Sequence, residues 1–239
     1  MDMPIDVQHQ QMGYDRTATM FSPEGHLLQV EYAEKTVRLG SAILGMICSN
    51  GVFILANKKI KDKLIVPSSS NKIHEVDSHI MAGAAGIISD ARILVERSQV
   101  VAQQHRVTYD SPIEPELIIK DIANTKQKFT QYGGARPFGV AFMVAGLNGD
   151  NPQLFTSDIT GNYLSYFANA IGENDEKIKE ILREKYKKDL TIKEGVRLAL
   201  NIFKEIHGEK FDLNKFELVY IENKDKKLIR FEKGEIEKL

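Results

Sequence analysis

The sequence predicts an α+β chain made of two stacked antiparallel sheets covered by pairs of helices. Three observations lead there. Pairs of apolar runs alternate with pairs of amphipathic stretches along the chain. Short turns join the runs, at Ser49-Asn50-Gly51, near Asp77-Ser78 and at Asn148-Gly149-Asp150. Connections so short make antiparallel pairs and rule against a doubly wound parallel sheet. Finally, SAILGMIC and FGVAFMVAG are almost unbroken in apolar residues, as expected for strands buried on both faces.

Taken in order, residues 1–12 are polar, contain Pro4 and lack periodicity, so a mobile arm is expected over 1–13. Residues 14–239 read as one domain, because no low-complexity linker divides them. Its first element is a predicted helix over 23–39. Ser22 can accept a backbone bond from the first turn, Pro23 suits the first helical position, and Glu24 favours the positive end of the dipole. Leu27, Val30, Ala33 and Val37 form a stripe that needs an apolar partner. Gly40 is expected to stop the helix in the left-handed conformation.

SAILGMIC and GVFILAN follow, with Asn50-Gly51 as the hairpin signal. KKIKDK interrupts as a charged loop, and NKIHEV pairs with HIMAGAAG. Two helices come next, over IISDARILVERSQVVAQQHR and, after Pro112 and Pro115, over PELIIKDIANTKQKF. Strands return at PFGVAFMVAGL, QLFTSD and YLSYFANAIG. The helix ENDEKIKEILREKY is heavily charged, and TIKEGVRLALNIFKEIHG carries a capping box from Thr191 to Glu194. KFELVYIE and KLIRFE close the fold as a hairpin, ahead of a charged tail.

Composition excludes several function classes. A net charge of −1 with 27% charged residues gives no nucleic-acid-binding excess. No apolar run reaches membrane-spanning length, and the first residues lack the pattern of a signal peptide. The single cysteine, Cys48, rules out an internal disulfide framework and fits a cytoplasmic chain. His74 and His79 flank Asp77, but five-residue spacing on a strand pair does not converge on a metal. There is no G-x-S-x-G and no phosphate-binding glycine loop. Gly83-Ala84-Ala85-Gly86 lacks dinucleotide spacing and reads as close strand-to-helix packing. No cofactor is expected.

The runs YDR at 14–16, FSPEGHLLQVEYA and LGSAILGM, with YGGARPFG at 132–139, occur in an order and spacing that closely resemble proteasome α subunits in their archaeal form. The resemblance extends to about residue 231. It implies the four-layer αββα sandwich of the N-terminal-nucleophile hydrolases, plus an N-terminal helix. It also implies a noncatalytic subunit of the 20S core particle. Seven copies would form an outer ring that docks on β subunits, gates substrate entry and receives an ATPase activator whose tail ends hydrophobic-Tyr-any.

Matching the motifs residue by residue gives the expected site. Tyr14, Asp15, Pro23 and Tyr32 match the cluster that holds the arms in the open gate, with Arg16 and Glu31 as gate-side contacts. A carboxylate accepts phenolic hydrogen bonds, and a proline ring offers an aromatic an apolar face. Lys72 matches the pocket lysine that takes the activator's terminal carboxylate, and Gly86 lines the same pocket, with Glu31 beside it. Tyr132, Gly133, Gly134 and Ala135 match the turn that rings the axial pore.

Two other readings stand beside it. Proteasomal proteases use an N-terminal threonine whose free amine is the base. Ser41 stands at the matching place, so a catalytic β-type subunit matured at Gly40-Ser41 is the alternative. Against it, the helix before Ser41 carries the best motifs, Lys58 falls where β subunits keep a carboxylate, and HGEKFDLNKF replaces their late Arg-Asp-Ser element. A free-standing binding module is the third reading, and the apolar stripe over 27–37 argues against it.

Overall fold

The computed structural model describes residues 13–58, 64–231 and 236. The expected arm over 1–13 lies outside the described residues except for Gly13, as do most of the KKIKDK loop and of the charged tail.

Among the described residues, ten strands form two antiparallel five-stranded sheets. The first is ordered β10-β9-β2-β1-β8, from β1 (Ile43–Cys48), β2 (Gly51–Asn57), β8 (Ala168–Ile171), β9 (Phe216–Glu222) and β10 (Leu228–Phe231). The second is ordered β3-β4-β5-β6-β7, from β3 (Ile73–Asp77), β4 (Ile80–Gly86), β5 (Val140–Asn148), β6 (Asn151–Ser157) and β7 (Tyr163–Ser165). Alternate residues of each central strand face opposite layers, since strand side chains have a period of two. Val52, Ile54 and Ala56 of β2 meet Met81 of β4 and Met143 of β5 between the sheets. The intervening Phe53 and Leu55 point outward, against α4 (Asp175–Lys185) and α5 (Ile192–His207). On the far side, Ile80, Ala82, Phe142 and Val144 pack against α2 (Ile88–Tyr109) and α3 (Pro115–Phe129). Strands buried on both faces and helices on both outer faces make four layers, as the unbroken apolar runs predict.

The capping box at α5 is present as expected, with Thr191 Oγ1 accepting from Glu194 N–H at 3.4 Å and Thr191 N–H donating to Glu194 Oε2 at 2.9 Å. The α3 bounds also match the predicted segment. The hairpin turn after β1 falls one residue early: Cys48 pairs with Gly51, so Ser49-Asn50 form the loop.

Two expectations about the first helix are corrected. The helix expected over 23–39 is shorter, α1 at Leu28–Leu39. Ser22-Pro23-Glu24-Gly25 is a β-turn instead, closed by Gly25 N–H to Ser22 O at 2.9 Å with Gly25 at φ +84°. Proline in second place and a glycine at positive φ favour a turn over a first helical turn. Ser22 Oγ still accepts a backbone bond, but from His26 N at 3.2 Å, and Leu27 takes the N-cap place. Nor is Gly40 left-handed: its φ is −69° and ψ 142°. It is needed for close approach, because a Cβ there would lie 2.4 Å from Gly86 N.

YLSYFANAIG, read as one strand, is two. Tyr166 N–H bonds Leu154 O at 2.9 Å in one sheet, while Phe167 O accepts from Ile47 N at 2.8 Å in the other. The chain crosses between the sheets at that peptide.

Candidate functional site

The turn over Gly13–Arg16, with Arg16 N–H on Gly13 O at 3.1 Å, is fastened to α1 by Gln29 Nε2, which donates to Asp15 O at 2.5 Å. Tyr14, Asp15 and Tyr32 are half-buried, whereas Arg16 and Pro23 are exposed. Glu31 Oε1 lies 2.5 Å from His26 Nδ1, and Lys35 Nζ sits 5.2 Å from the centre of the Tyr32 ring. The stripe on α1 is satisfied within the chain: Val30 and Ala33 are buried on Ile159, with Leu27 and Val37 packed beside them. It therefore does not require a neighbouring subunit, which corrects the inference drawn from its apolar character.

Lys72 lies immediately before β3, in a segment held at three successive residues. Asn71 Oδ1 accepts from Lys58 Nζ at 2.6 Å, Lys72 N–H donates to Glu217 Oε2 at 2.9 Å, and Ile73 O accepts from Arg230 Nη2 at 2.8 Å. Glu217, on β9, is 2% exposed and pairs with Arg230 and, at 3.7 Å, with Lys58. Buried carboxylates need such partners. The cluster fixes the start of β3 to the opposite sheet. The Lys72 side chain runs to Ser41, donating to the Ser41 carbonyl and, at 2.7 Å, to Ser41 Oγ. Beside Ser41, Gly40 lies against Gly86. Lys72 and Gly86 thus each touch the Gly40-Ser41 segment that leads into β1.

The Tyr132–Ala135 turn is exposed, with Ala135 N–H on Tyr132 O at 3.3 Å and Tyr132 65% exposed. Behind it, Arg136 forms two bonds to Asp90, at 2.6 and 2.7 Å, and Asp90 also accepts from Gly139 N–H at 2.9 Å. Gly139 O in turn accepts from Ile87 N at 2.9 Å and Thr36 Oγ1 at 3.0 Å. The last glycine of YGGARPFG therefore joins the turn, α1 and the start of α2. Burial works to raise the Asp90 carboxyl, but the bonds from Arg136 and Gly139 and the guanidinium charge outweigh it and hold it below its ordinary value.

A folded value below the unfolded one means that this stabilisation is complete above about pH 3.8 and is lost as pH falls through the folded value. Asp90→Asn should cost about 2 kcal/mol at neutral pH, less than a fully buried pair because Arg136 is largely exposed. Thermal unfolding checks this, and the gap between variant and wild type should close on acidification. A gap that stays constant down to pH 2 would contradict the assignment.

Sequence reasoning missed Glu217, Arg230 and Lys126. Lys126, on α3, is 0% exposed, and its ammonium meets Ser157 O at 3.2 Å and Asp158 O at 3.0 Å. Cys48 is buried, and burial, with Glu194 adding to it, pushes its thiol up to about 12, which makes it a poor nucleophile at neutral pH. Asp77 is held by Arg106 at 2.7 and 2.9 Å, and His79 Nε2 lies 2.8 Å from Ile113 O. No helix among the described residues is long and apolar enough to cross a membrane.

Comparison with known proteins bears on this arrangement. Residues 37–221 match the family model for proteasome subunits, and residues 14–35 match the N-terminal signature of the proteasome A-type subunits. The chain is 43% identical over 228 residues to the proteasome alpha subunit of Pyrococcus abyssi, spanning 95% of this chain and 87% of that protein. It is 40% identical over 226 residues to the proteasome alpha subunit of Methanosarcina thermophila, spanning 95% and 92%. With the proteasome alpha subunit of Methanopyrus kandleri the figures are 39% over 216 residues, 90% and 88%. With the two-sheet fold, the signature over the Tyr14 turn and α1, and relatives of this similarity along nearly the whole chain, this protein belongs to the proteasome subunit family and is of the α type.

Proposed function

We propose that this chain is a noncatalytic α subunit of a cytoplasmic proteasome core particle. In this reading residues 14–239 act as one domain, and seven copies form the outer ring, stacked on a ring of β subunits. Residues 1–13 close the entry as a gate arm. Tyr14, Asp15, Arg16, Pro23, Tyr32 and Glu31 form the gate-side cluster, and the exposed Tyr132–Ala135 turn rings the pore. Lys72, with Gly86, receives the terminal carboxylate of an ATPase activator's tail. Ile93, Val100 and Val107 stand exposed at seven-residue intervals along α2. A seam of that spacing suits a helix of an adjoining subunit, and it takes over the argument for assembly that the α1 stripe no longer supplies.

One observation carries the noncatalytic reading. Gly40, the residue before Ser41, is built into the fold: its N–H bonds Val37 O at 3.0 Å and its carbonyl accepts Glu173 N–H at 2.8 Å. The residue that should be a free N-terminus is embedded between α1 and the sheet. The alternative, a β-type subunit matured at Gly40-Ser41, draws on the Lys72–Ser41 contact. Lys58 opposes it, because its ammonium is engaged by Asn71 and Glu217 where a carboxylate is needed.

Intact-mass measurement and a fluorogenic-peptide assay separate the two. The chain should retain the residues before Ser41 and hydrolyse nothing without β subunits. A mature form that begins at Ser41 and is active would establish the β-type reading.

A further inference from the structure

We propose that the turn over Asp158–Asn162 positions the gate-side cluster, with Ile159 as the residue on which the N-terminal half of α1 is seated. The role assigned to Ile159 rests on the reading of Tyr14, Asp15 and Tyr32 as that cluster.

The seat is held independently of α1. Asp158 Oδ1 accepts from Thr160 N–H at 2.9 Å, Thr160 Oγ1 at 2.7 Å and Asn162 N–H at 3.0 Å, and Asp158 N–H donates to Asn162 O at 3.0 Å. An aspartate that bonds the backbone two residues on fixes a turn in this way. The turn is also pressed onto α3. Lys126 Nζ donates to Asp158 O at 3.0 Å, and Gly161, at φ +89°, comes so close that a Cβ there would lie 2.3 Å from Ala123 O. Ala123 and Lys126 are three residues apart and share one face of α3. Ile159 lies in the chain between these two anchors, is 1% exposed, and buries Val30 and Ala33.

The two halves of α1 are held differently. The C-terminal half is tied to backbone, by Thr36 Oγ1 on Gly139 O at 3.0 Å and by the close approach of Gly40 to Gly86. The N-terminal half rests on a small apolar cluster, apart from the cores between the sheets and under the outer helices. That half carries the gate-side groups. Gln29 holds the Tyr14 turn through Asp15 O, and Tyr32 follows three residues later on the same face. Loss of the Ile159 side chain should therefore loosen these groups while the sheets stay intact. Beyond Lys126, α3 runs on into the Tyr132–Ala135 turn. One helix thus backs both the gate-side cluster and the turn assigned to the pore, and groups held by a packed support keep the geometry that function needs.

The test uses core particles assembled from this chain and β subunits, with a heptapeptide ending Leu-Tyr-Ala as the stimulus of fluorogenic-peptide hydrolysis. Hydrogen exchange reads the seat directly. Ile159→Ala should speed exchange over residues 28–34 about ten-fold, while residues 36–40 and the sheets keep their rates. The same variant should cut stimulation about five-fold, and Ile159→Val, which keeps most of the contact, should restore most of it. Combined with Tyr14→Ala it should do no further harm, because both changes act on one cluster. Ile202→Ala makes the same truncation in the far helical layer, where Ile202 is 1% exposed, and should lower the melting temperature with stimulation intact. Unchanged exchange over 28–34, or an Ile202→Ala that blunts stimulation as much as Ile159→Ala, would overturn the proposal. So would full stimulation of Ile159→Ala beside a weakened Tyr14→Ala. Full stimulation of both would instead remove the underlying reading of the cluster, and the functional role of Ile159 with it.

Discussion

The protein should gain stability as pH rises from about 7 towards 10, and Lys126→Met should remove that gain. Lys126 is 0% exposed, and its ammonium is met by Ser157 O at 3.2 Å, Ser157 Oγ at 3.4 Å and Asp158 O at 3.0 Å. These acceptors are neutral, so they satisfy the donors without cancelling the charge. Burial lowers the Lys126 pKa from 10.5 to about 7, with the Asp158 carboxylate pulling the other way.

Between those two values the unfolded chain binds more protons than the native one, so stability climbs with pH across that window and levels off above it. Below about pH 7 both states are charged, and the cost of burying the ion is present in full. The whole climb is on the order of 5 kcal/mol, at about 1.4 kcal/mol for each unit of displacement. Methionine keeps the unbranched length without the charge. Urea unfolding at pH 6, 7.5 and 9 would show the difference between the two proteins, and parallel curves would sink the idea. The consequence reaches α1, because Ile159, one residue beyond Asp158, is the seat of Val30 and Ala33.

The fold was legible where local chemistry and burial agree. Pro115 sets the start of α3, the Thr191–Glu194 box sets that of α5, and the unbroken runs of β1 and β5 announce strands covered on both faces. It was illegible where a short-range signal has two outlets. Ser22-Pro23-Glu24 suits a helix start and a turn alike, and Gly25 at positive φ decides for the turn. YLSYFANAIG is as rich in aromatic and apolar residues as one strand would be, and only the two sheets' competing partners divide it at Tyr166-Phe167.

The missed charges did leave a trace in the periodicity. Glu217 is in phase with Val219 and Ile221 of β9, which face the layer between the sheets. Lys126 follows Ile119 and Ile122 at helical spacing, so the buried face of α3 includes it. Reading a charged residue by its phase rather than its polarity would have placed both inside. What no pattern in one chain supplies is the convergence of Lys58, Asn71, Lys72, Glu217 and Arg230, which come from separate segments and meet only through sheet stacking.

Gly86→Ala should cripple the fold, while Gly133→Ala in the exposed turn should be close to neutral. Gly86 has φ +127°, a conformation L side chains rarely adopt, and a Cβ there would lie 2.2 Å from Gly139 O and 3.0 Å from Val140 Cα. The obstacle is backbone, which cannot swing aside as a side-chain tip can. Gly139 O is committed to Ile87 N at 2.9 Å and Thr36 Oγ1 at 3.0 Å, and Gly86 pairs with Val140 at the end of the β4–β5 ladder. Relief requires opening that ladder or lifting the start of α2 and the C-terminal part of α1. Backbone strain contributes about 1–3 kcal/mol and the overpacking a similar amount. Together these remove much of the roughly 5–15 kcal/mol that holds a domain folded. Gly133 has nothing within 4 Å of its would-be Cβ, so its variant should stay within about 0.5 kcal/mol of wild type. Thermal unfolding of both variants provides the comparison. At about 2–4 °C per kcal/mol for a domain of this size, Gly86→Ala should melt roughly 10 °C lower or fail to fold. A Gly86→Ala protein that melts with the wild type would show that the junction of Gly40, Gly86 and Gly139 is looser than its contacts require.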